Sequence, residues 1–475
     1  MQYQSNDFLE AEQKSFDDSV RAIEEWWKTP RQQHIKRPYS AKTIAALRGS
    51  ETLPCVSSAA ALKLWDMLLY VSGGLSGFSE NSYPGMDHAD YPWDTVPKVV
   101  DKIFRSEVWH DQRQRQFRMS HKLEDRTSLE NWDYLMPIIA DGDMGFGSLT
   151  TTLKSTKALA EFGAAGIHID DLAIGLKKFT VGQGRTVVPT SEYADRVKAI
   201  RLQLDIMGAE TLLFARCDTD HAEFITSVVD PRDHEYVLGA TKDVKPLQQV
   251  MNEAIASGNS ALEARTRWIA SAGLKSFDEA VQAVCNNDQF NKYQAQEPTS
   301  RFDWELPRSQ NGQYMFRQTV KTIVERAYGS SPKRLVLVRM DSPNYHDIKE
   351  YHETMLSHLP ERMFAFAWGG EWPFPESAGW TPERRKNASA IMAKDFGVVW
   401  QVQPMYMIQG VNMEIERSAE MWTEEGIGGY YEKIQTVAVS RKPFKVDGYE
   451  KMSWCGGHLS DAFFAAVSGE EISQR

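Results

Sequence analysis

The sequence predicts an α/β protein built on a (β/α)8, TIM-type barrel, with N-terminal helices, an inserted helical subdomain and C-terminal helices. Three observations predict this. Short apolar runs of buried-strand type recur, in the stretches Pro137 to Gly147, Gly166 to Asp171, Thr211 to Asp220, Arg334 to Asp341, Met363 to Trp368 and Val398 to Gln403. The first four end in charge: Asp141 and Asp143, then Asp170 and Asp171, then Arg216, Asp218 and Asp220, then Asp341. Helix-like segments, Leu149 to Phe162 and Ser191 to Met207, separate the first three. Strand, helix, strand with charge at each strand's C-terminal end is the pattern of a parallel sheet, and that end of a barrel carries the active site.

In chain order, residues 7–28 read as an acidic amphipathic helix ending at Trp26-Trp27, and Pro30 and Pro38 break the chain before Ser40 caps a helix through Leu47. Thr52 to Val56 is a candidate first strand, Ser57 to Asp66 a helix, and Leu68 to Ser72 a second strand that leaves Ser72, Gly73 and Gly74 at its end. With the six runs above, these two make the eight strands that close a barrel. Residues 77–97 are rich in Gly, Pro, Ser and Asp and read as a loop carrying Asp87 and Asp90. After Asp230-Pro-Arg-Asp-His234 the strand pattern stops, and residues 244–295 read as polar helices. The stretch Asn412 to Gly469 reads as mostly helical, with a glycine-rich break at 426–429. The expected division is an N-terminal helical segment (1–48), the first part of the barrel (49–236), a helical insert (237–300), the second part of the barrel (301–410) and C-terminal helices (411–475).

The chain has 475 residues, 42% hydrophobic and 25% charged, ordinary for a soluble globular protein. A formal charge of −11 argues against nucleic acid as a partner. No apolar run approaches the roughly 20 residues that span a bilayer, so no membrane association is expected. Met1 to Asp18 is polar and acidic, unlike a signal or transit peptide, which points to a cytoplasmic protein. Cys55, Cys217, Cys285 and Cys455 are scattered without zinc spacing, as free thiols in a reducing compartment would be.

The stretch Pro137 to Gly147 holds the sharpest chemistry. Residues two apart on a strand share a face, so Asp141 and Asp143 can aim the same way where strand becomes loop. Two hard oxygen donors there suit Mg²⁺, or Mn²⁺ in its place. A pair of acids can equally cap the next helix. The recurrence of acids at successive strand ends favours the metal.

The residues carry a family resemblance over nearly the whole chain. Arg37-Pro-Tyr-Ser to Leu47-Arg-Gly-Ser50, Ala89-Asp-Tyr-Pro to Thr95-Val-Pro97, Pro137 to Gly147, Gly163 to Ile169, Val188-Pro-Thr190, Asp205-Ile-Met-Gly208 and Ile225-Thr-Ser to His234 resemble isocitrate lyase of the longer, insert-bearing type. The resemblance implies a divalent metal, a small-molecule carboxylate substrate and a homo-oligomer, a tetramer that exchanges C-terminal helices. It implies Asp141 as direct Mg²⁺ ligand, with Asp87, Asp143 and Asp170 binding the metal's waters. It places Ser72, Gly73 and Arg216 at the carboxylate of a glyoxylate-type half, and Tyr70, His168 and Asp341 near the reacting centre. Gly74 and Glu371 fall at substrate-binding positions.

The other half of the family site is rewritten. Where the family has Lys-Lys-Cys-Gly-His, this chain reads Lys177-Lys-Phe-Thr-Val181, and neither Phe179 nor Val181 can transfer a proton. The succinate-holding residues are replaced by Ala367, Gly369 and Glu371, and a family Thr by Pro404. A carbon–carbon lyase with a changed substrate is therefore expected, its second half resting on Phe179, Trp368, Trp372 and Met405. The acid is left open between Tyr70, a water and Glu371. A 2-oxo acid hydrolase at the same metal and an inactive paralogue are the alternatives. Trp454-Cys-Gly-Gly-His458 and Cys217 read as packing, and Lys177-Lys178 as a solvated loop face.

Overall fold

The computed structural model describes residues 6–49, 54–67, 87, 89–129, 131–178, 184–283, 302–330, 335–338, 344–360, 363–369, 374–403, 407–440 and 456–469. Its strands are β1 (Ile138–Asp141), β2 (Ala164–Ile169), β3 (Arg185–Val187), β4 (Leu212–Cys217), β5 (Ala222–Ile225), β6 (Tyr314–Met315), β7 (Leu335–Val338), β8 (Met363–Ala367) and β9 (Val398–Val402). The main sheet runs β1-β2-β4-β7-β8-β9 with every neighbour parallel. These are the six expected runs, side by side in chain order.

A closed eight-stranded barrel is not seen among the described residues. Pro54, Cys55 and Val56 do not form the expected strand. The chain there turns directly into the helix Ser57–Met67, with the Ser58 amide donating to the Cys55 carbonyl at 3.0 Å. Thr52 and Leu53 lie outside the described residues, as does the second expected strand, Leu68 to Ser72.

Alternation sorts the strand residues onto two faces. One face carries Ile169, Ala215, Cys217, Phe364 and Phe366, packed on Tyr193, Val197, Ile323, Ile348, Tyr351, Met392 and Phe396 of the flanking helices. The other carries Ile139, Phe214, Ala365 and Trp400, joined by Ala61 and Leu64 of the helix Ser57–Met67. That helix is tied to the N-terminal edge of the sheet by Ser57 Oγ, 2.8 Å from Thr211 Oγ1. Each such buried aliphatic or aromatic side chain stabilises the fold by about 1.5–3 kcal/mol, so the N-terminal edge is sealed by apolar packing. Polar groups on this face are pushed to the opposite edge.

A second small sheet pairs β3 with β5 in parallel and β5 with β6 antiparallel. Sequence reasoning lacked it. It anchors the helices Leu247–Ala256 and Ala261–Ala272, whose Leu247, Trp268 and Ala272 pack with Phe224 of β5 and Met315 of β6, and a third helix, Phe277–Gln282, follows. Ser276 and Glu279 form a reciprocal capping box at the third helix. Towards the C-terminus, the helix Asn412–Tyr430 is broken at Gly426 (φ 59°, ψ −148°), within the expected break. The last described helix, Gly457–Val467, leaves Phe463 and Phe464 largely exposed, while His458 at its start meets the ring of Phe117 edge-on at 5.7 Å. No described helix is long and apolar enough to cross a membrane.

Candidate active site at the C-terminal strand edge

β1 ends on Asp141 and the chain then turns sharply. Gly142 donates its amide to the His168 carbonyl at 2.7 Å, and a Cβ at this glycine would sit 2.8 Å from that oxygen. Only glycine permits so close an approach. Asp143 follows with φ at 45°, a left-handed conformation that costs energy in an L residue and is best tolerated by Asp or Asn. The turn is held by Asp143 N donating to Asp141 Oδ1 at 2.8 Å and by Asp170 N donating to the Asp143 carbonyl at 2.8 Å. The ends of β1 and β2 thus fix three carboxylates, Asp141, Asp143 and Asp170, all buried.

Three of the expected site acids therefore come together, with His168 and Arg216 beside them. His168 Nδ1 lies 3.3 Å from Asp141 Oδ1, without hydrogen-bond alignment. Burial drives the imidazole pKa down to about 4, so the ring is neutral near pH 7. Arg216 grips Asp218 twice, Nε to Oδ1 at 2.7 Å and Nη2 to Oδ2 at 2.8 Å, and turns Nη1 to Asp141 Oδ2 at 3.4 Å. Burial opposes the Asp141 charge, but His168, Lys177, Arg216 and the Asp143 amide together bring its pKa down to about 2. Burial and the charge of Asp141 push Asp143 the other way, up to about 7.

Lys177 corrects the sequence reading. It is not solvated: its side chain is 8% exposed, and its ammonium donates to Asp143 Oδ1 and to Asp170 Oδ2, the latter at 2.6 Å. Lys178 beside it is exposed, so the pair divides between core and solvent. Tyr91, which sequence reasoning also missed, donates its hydroxyl to Asp143 Oδ2. Asp87, in the turn just before it, accepts the Ala89 amide at 2.9 Å.

Other acids at this edge are structural. Asp171 accepts from Asp218 N at 2.8 Å, Thr219 Oγ1 at 2.6 Å and Arg326 Nη2 at 3.1 Å. Cys217 is fully buried, which raises its thiol pKa well above the ordinary value, in keeping with packing. Trp368, expected to wall the substrate pocket, faces the other way. It shares the helix-side face with Phe366 and meets Phe366, Phe374 and Trp380 at centroid distances of 5.0, 5.5 and 6.1 Å. Tyr70, Ser72, Gly73, Gly74, Asp341 and Glu371 lie outside the described residues, as do Phe179, Val181, Trp372, Pro404, Met405 and Cys455.

As the side chains stand, no three His, Cys, Asp or Glu donors converge on one ion position among the described residues. The point between Asp143 and Asp170 is held by the ammonium of Lys177. A cation already sits where hard, buried carboxylate oxygens meet. That donor set fits a divalent ion once the lysine has moved aside.

The model of the isocitrate lyase family matches residues 19–72, 68–301 and 294–474. The chain is 45% identical to the mitochondrial 2-methylisocitrate lyase of Schizosaccharomyces pombe, over 98% of each chain. It is 32% identical to the isocitrate lyase of Pinus taeda, over 98% of this chain and 91% of that one. It is 30% identical to the isocitrate lyase of Saccharomyces cerevisiae, over 98% and 94%.

Proposed function

The chain belongs to the isocitrate lyase family and is a carbon–carbon lyase of that type, and on that premise we propose that it cleaves or forms a bond next to a 2-hydroxy or 2-oxo carboxylate, with a substrate other than isocitrate. The observation that carries this reading is the pair Asp143 and Asp170 meeting on the Lys177 ammonium, with Asp141 buried beside them, at the C-terminal strand edge. The same three, with Asp87, would hold Mg²⁺, or Mn²⁺ in its place. When bound, such an ion supplies Lewis acidity to the carbonyl oxygen of the 2-oxo acid.

The chain's own residues do the rest. Arg216 is fixed by Asp218 before any ligand arrives, so its guanidinium meets a carboxylate without rearranging. His168 is neutral and can exchange a hydrogen bond with the reacting oxygen without adding charge. The proton donor stays open between Tyr70, a water and Glu371. Phe179 and Val181 in place of the family Cys and His, with the altered succinate positions, support a changed second half. The 45% identical relative is named for 2-methylisocitrate, which supports a pyruvate-type first half.

We further propose a closed (β/α)8 barrel, division at the boundaries given above, and a homo-oligomer, tetrameric by family resemblance. The exposed apolar residues Ile415, Ile427, Phe463 and Phe464 support association. The mitochondrial name of the same relative supports that compartment over the cytoplasm. The test is a screen of 2-hydroxy and 2-oxo acids with Mg²⁺, read by mass spectrometry. Metal-dependent release of pyruvate or glyoxylate is expected, and its absence across the panel overturns the reading. Brisk cleavage of isocitrate overturns the changed substrate.

A further inference from the structure

We propose that Lys177 is a built-in counter-ion of the metal site, which a divalent cation must displace in order to bind. The inference rests on the metal-site reading above and adds a specific role for a residue of this chain. Asp143 and Asp170 are 2% and 0% exposed, so any charge they carry there needs a partner. Lys177 supplies it, from a side chain itself 8% exposed, through hydrogen bonds to Asp143 Oδ1 and Asp170 Oδ2. An ammonium and a divalent ion cannot share the point between two carboxylates, because like charges a few ångströms apart repel strongly where water is excluded. Lysine suits the exchange: its flexible stem lets the head group leave while the backbone stays. Ile174 is exposed, and among the described residues nothing lies within 4 Å of a Cβ placed at Gly175, so the turn that carries Lys177 reaches the surface. The exchange replaces one positive charge with two and frees an ammonium at the mouth, which readies the site for an anionic substrate.

The test is Mn²⁺ titration of the full chain by calorimetry, comparing the wild type with Lys177→Met, which keeps an unbranched stem one atom shorter and removes the charge. The variant should bind Mn²⁺ at least about tenfold more tightly, because no charge-assisted hydrogen bonds need to be broken first. A second measurement uses the wild type alone, so a misfolded variant cannot decide the matter. An amine-acetylating reagent, read by peptide mass spectrometry, should label Lys177 several-fold faster in saturating Mn²⁺, with exposed Lys178 as the unchanged reference. Equal or weaker binding by the variant, with unchanged labelling of Lys177, overturns the counter-ion role and leaves the metal site standing. Failure of both proteins to bind Mn²⁺ overturns the metal reading and this inference with it.

Discussion

Arg216 and Asp218, two residues apart on the end of β4, are locked together by two parallel hydrogen bonds of 2.7 and 2.8 Å. The fork leaves one guanidinium nitrogen for Asp141, so the end of β4 places positive charge against the end of β1, across β2. Asp218→Asn weakens the clamp without changing its size. Turnover with the true substrate should fall roughly 10- to 100-fold, the range for loss of an orienting partner. Circular dichroism should be unchanged. Activity within twofold of wild type would show that Arg216 needs no anchor.

Arg326 donates to Asp171 and, at 2.8 Å, to Asp233, both fully enclosed. Arg326→Met strands two buried carboxylates. Unfolding in urea should reveal a loss of about 3–5 kcal/mol, the cost of breaking a buried ion pair from one side. A loss under 1 kcal/mol would mean that water replaces the guanidinium.

His352 is stacked on Phe396 at 5.4 Å and edge-on to Phe364, and burial lowers its pKa to about 3. The unfolded ring titrates at about 6.5. Between these values the unfolded state binds a proton that the folded state refuses. Stability present above pH 6.5 should therefore drain away as pH falls towards 3, by roughly 1.4 kcal/mol per pH unit from this one group. His352→Leu should flatten the acid limb of the stability curve by that slope, measured by urea melts at several pH values.

Asp141→Asn keeps the acceptor oxygen for the Asp143 amide but removes the charge that Arg216 faces. Calorimetry with Mg²⁺ should show no binding at millimolar ion, while thermal unfolding stays cooperative. Retained binding would move the direct ligand elsewhere.

Much of this arrangement could be read from the chain. Apolar strands that end in Asp141, Asp170 and Asp218 have no packing reason to do so, and local caps such as Ser40, which accepts the Thr43 amide, act within a few residues. The Arg216–Asp218 clamp had a signal too, since residues two apart share a strand face. The same count places Trp368 with Phe364 and Phe366, on the helix side. Lys177 was illegible for a physical reason: it and Lys178 are identical neighbours, and only the path of the tertiary turn sends one inward. β3 and β6 were illegible because strands of three and two residues carry no periodic pattern, and β5 because Glu223 interrupts its apolar run, where β1 and β7 of the same length are apolar throughout up to their ends.

Ala61, Leu64 and Trp400 close the N-terminal floor of the sheet as tightly as any part of the core. Under the proposed function, ion, acid and products would then exchange past the charged rim opposite that floor. A sluggish second product would throttle the whole cycle, however fast the bond itself breaks.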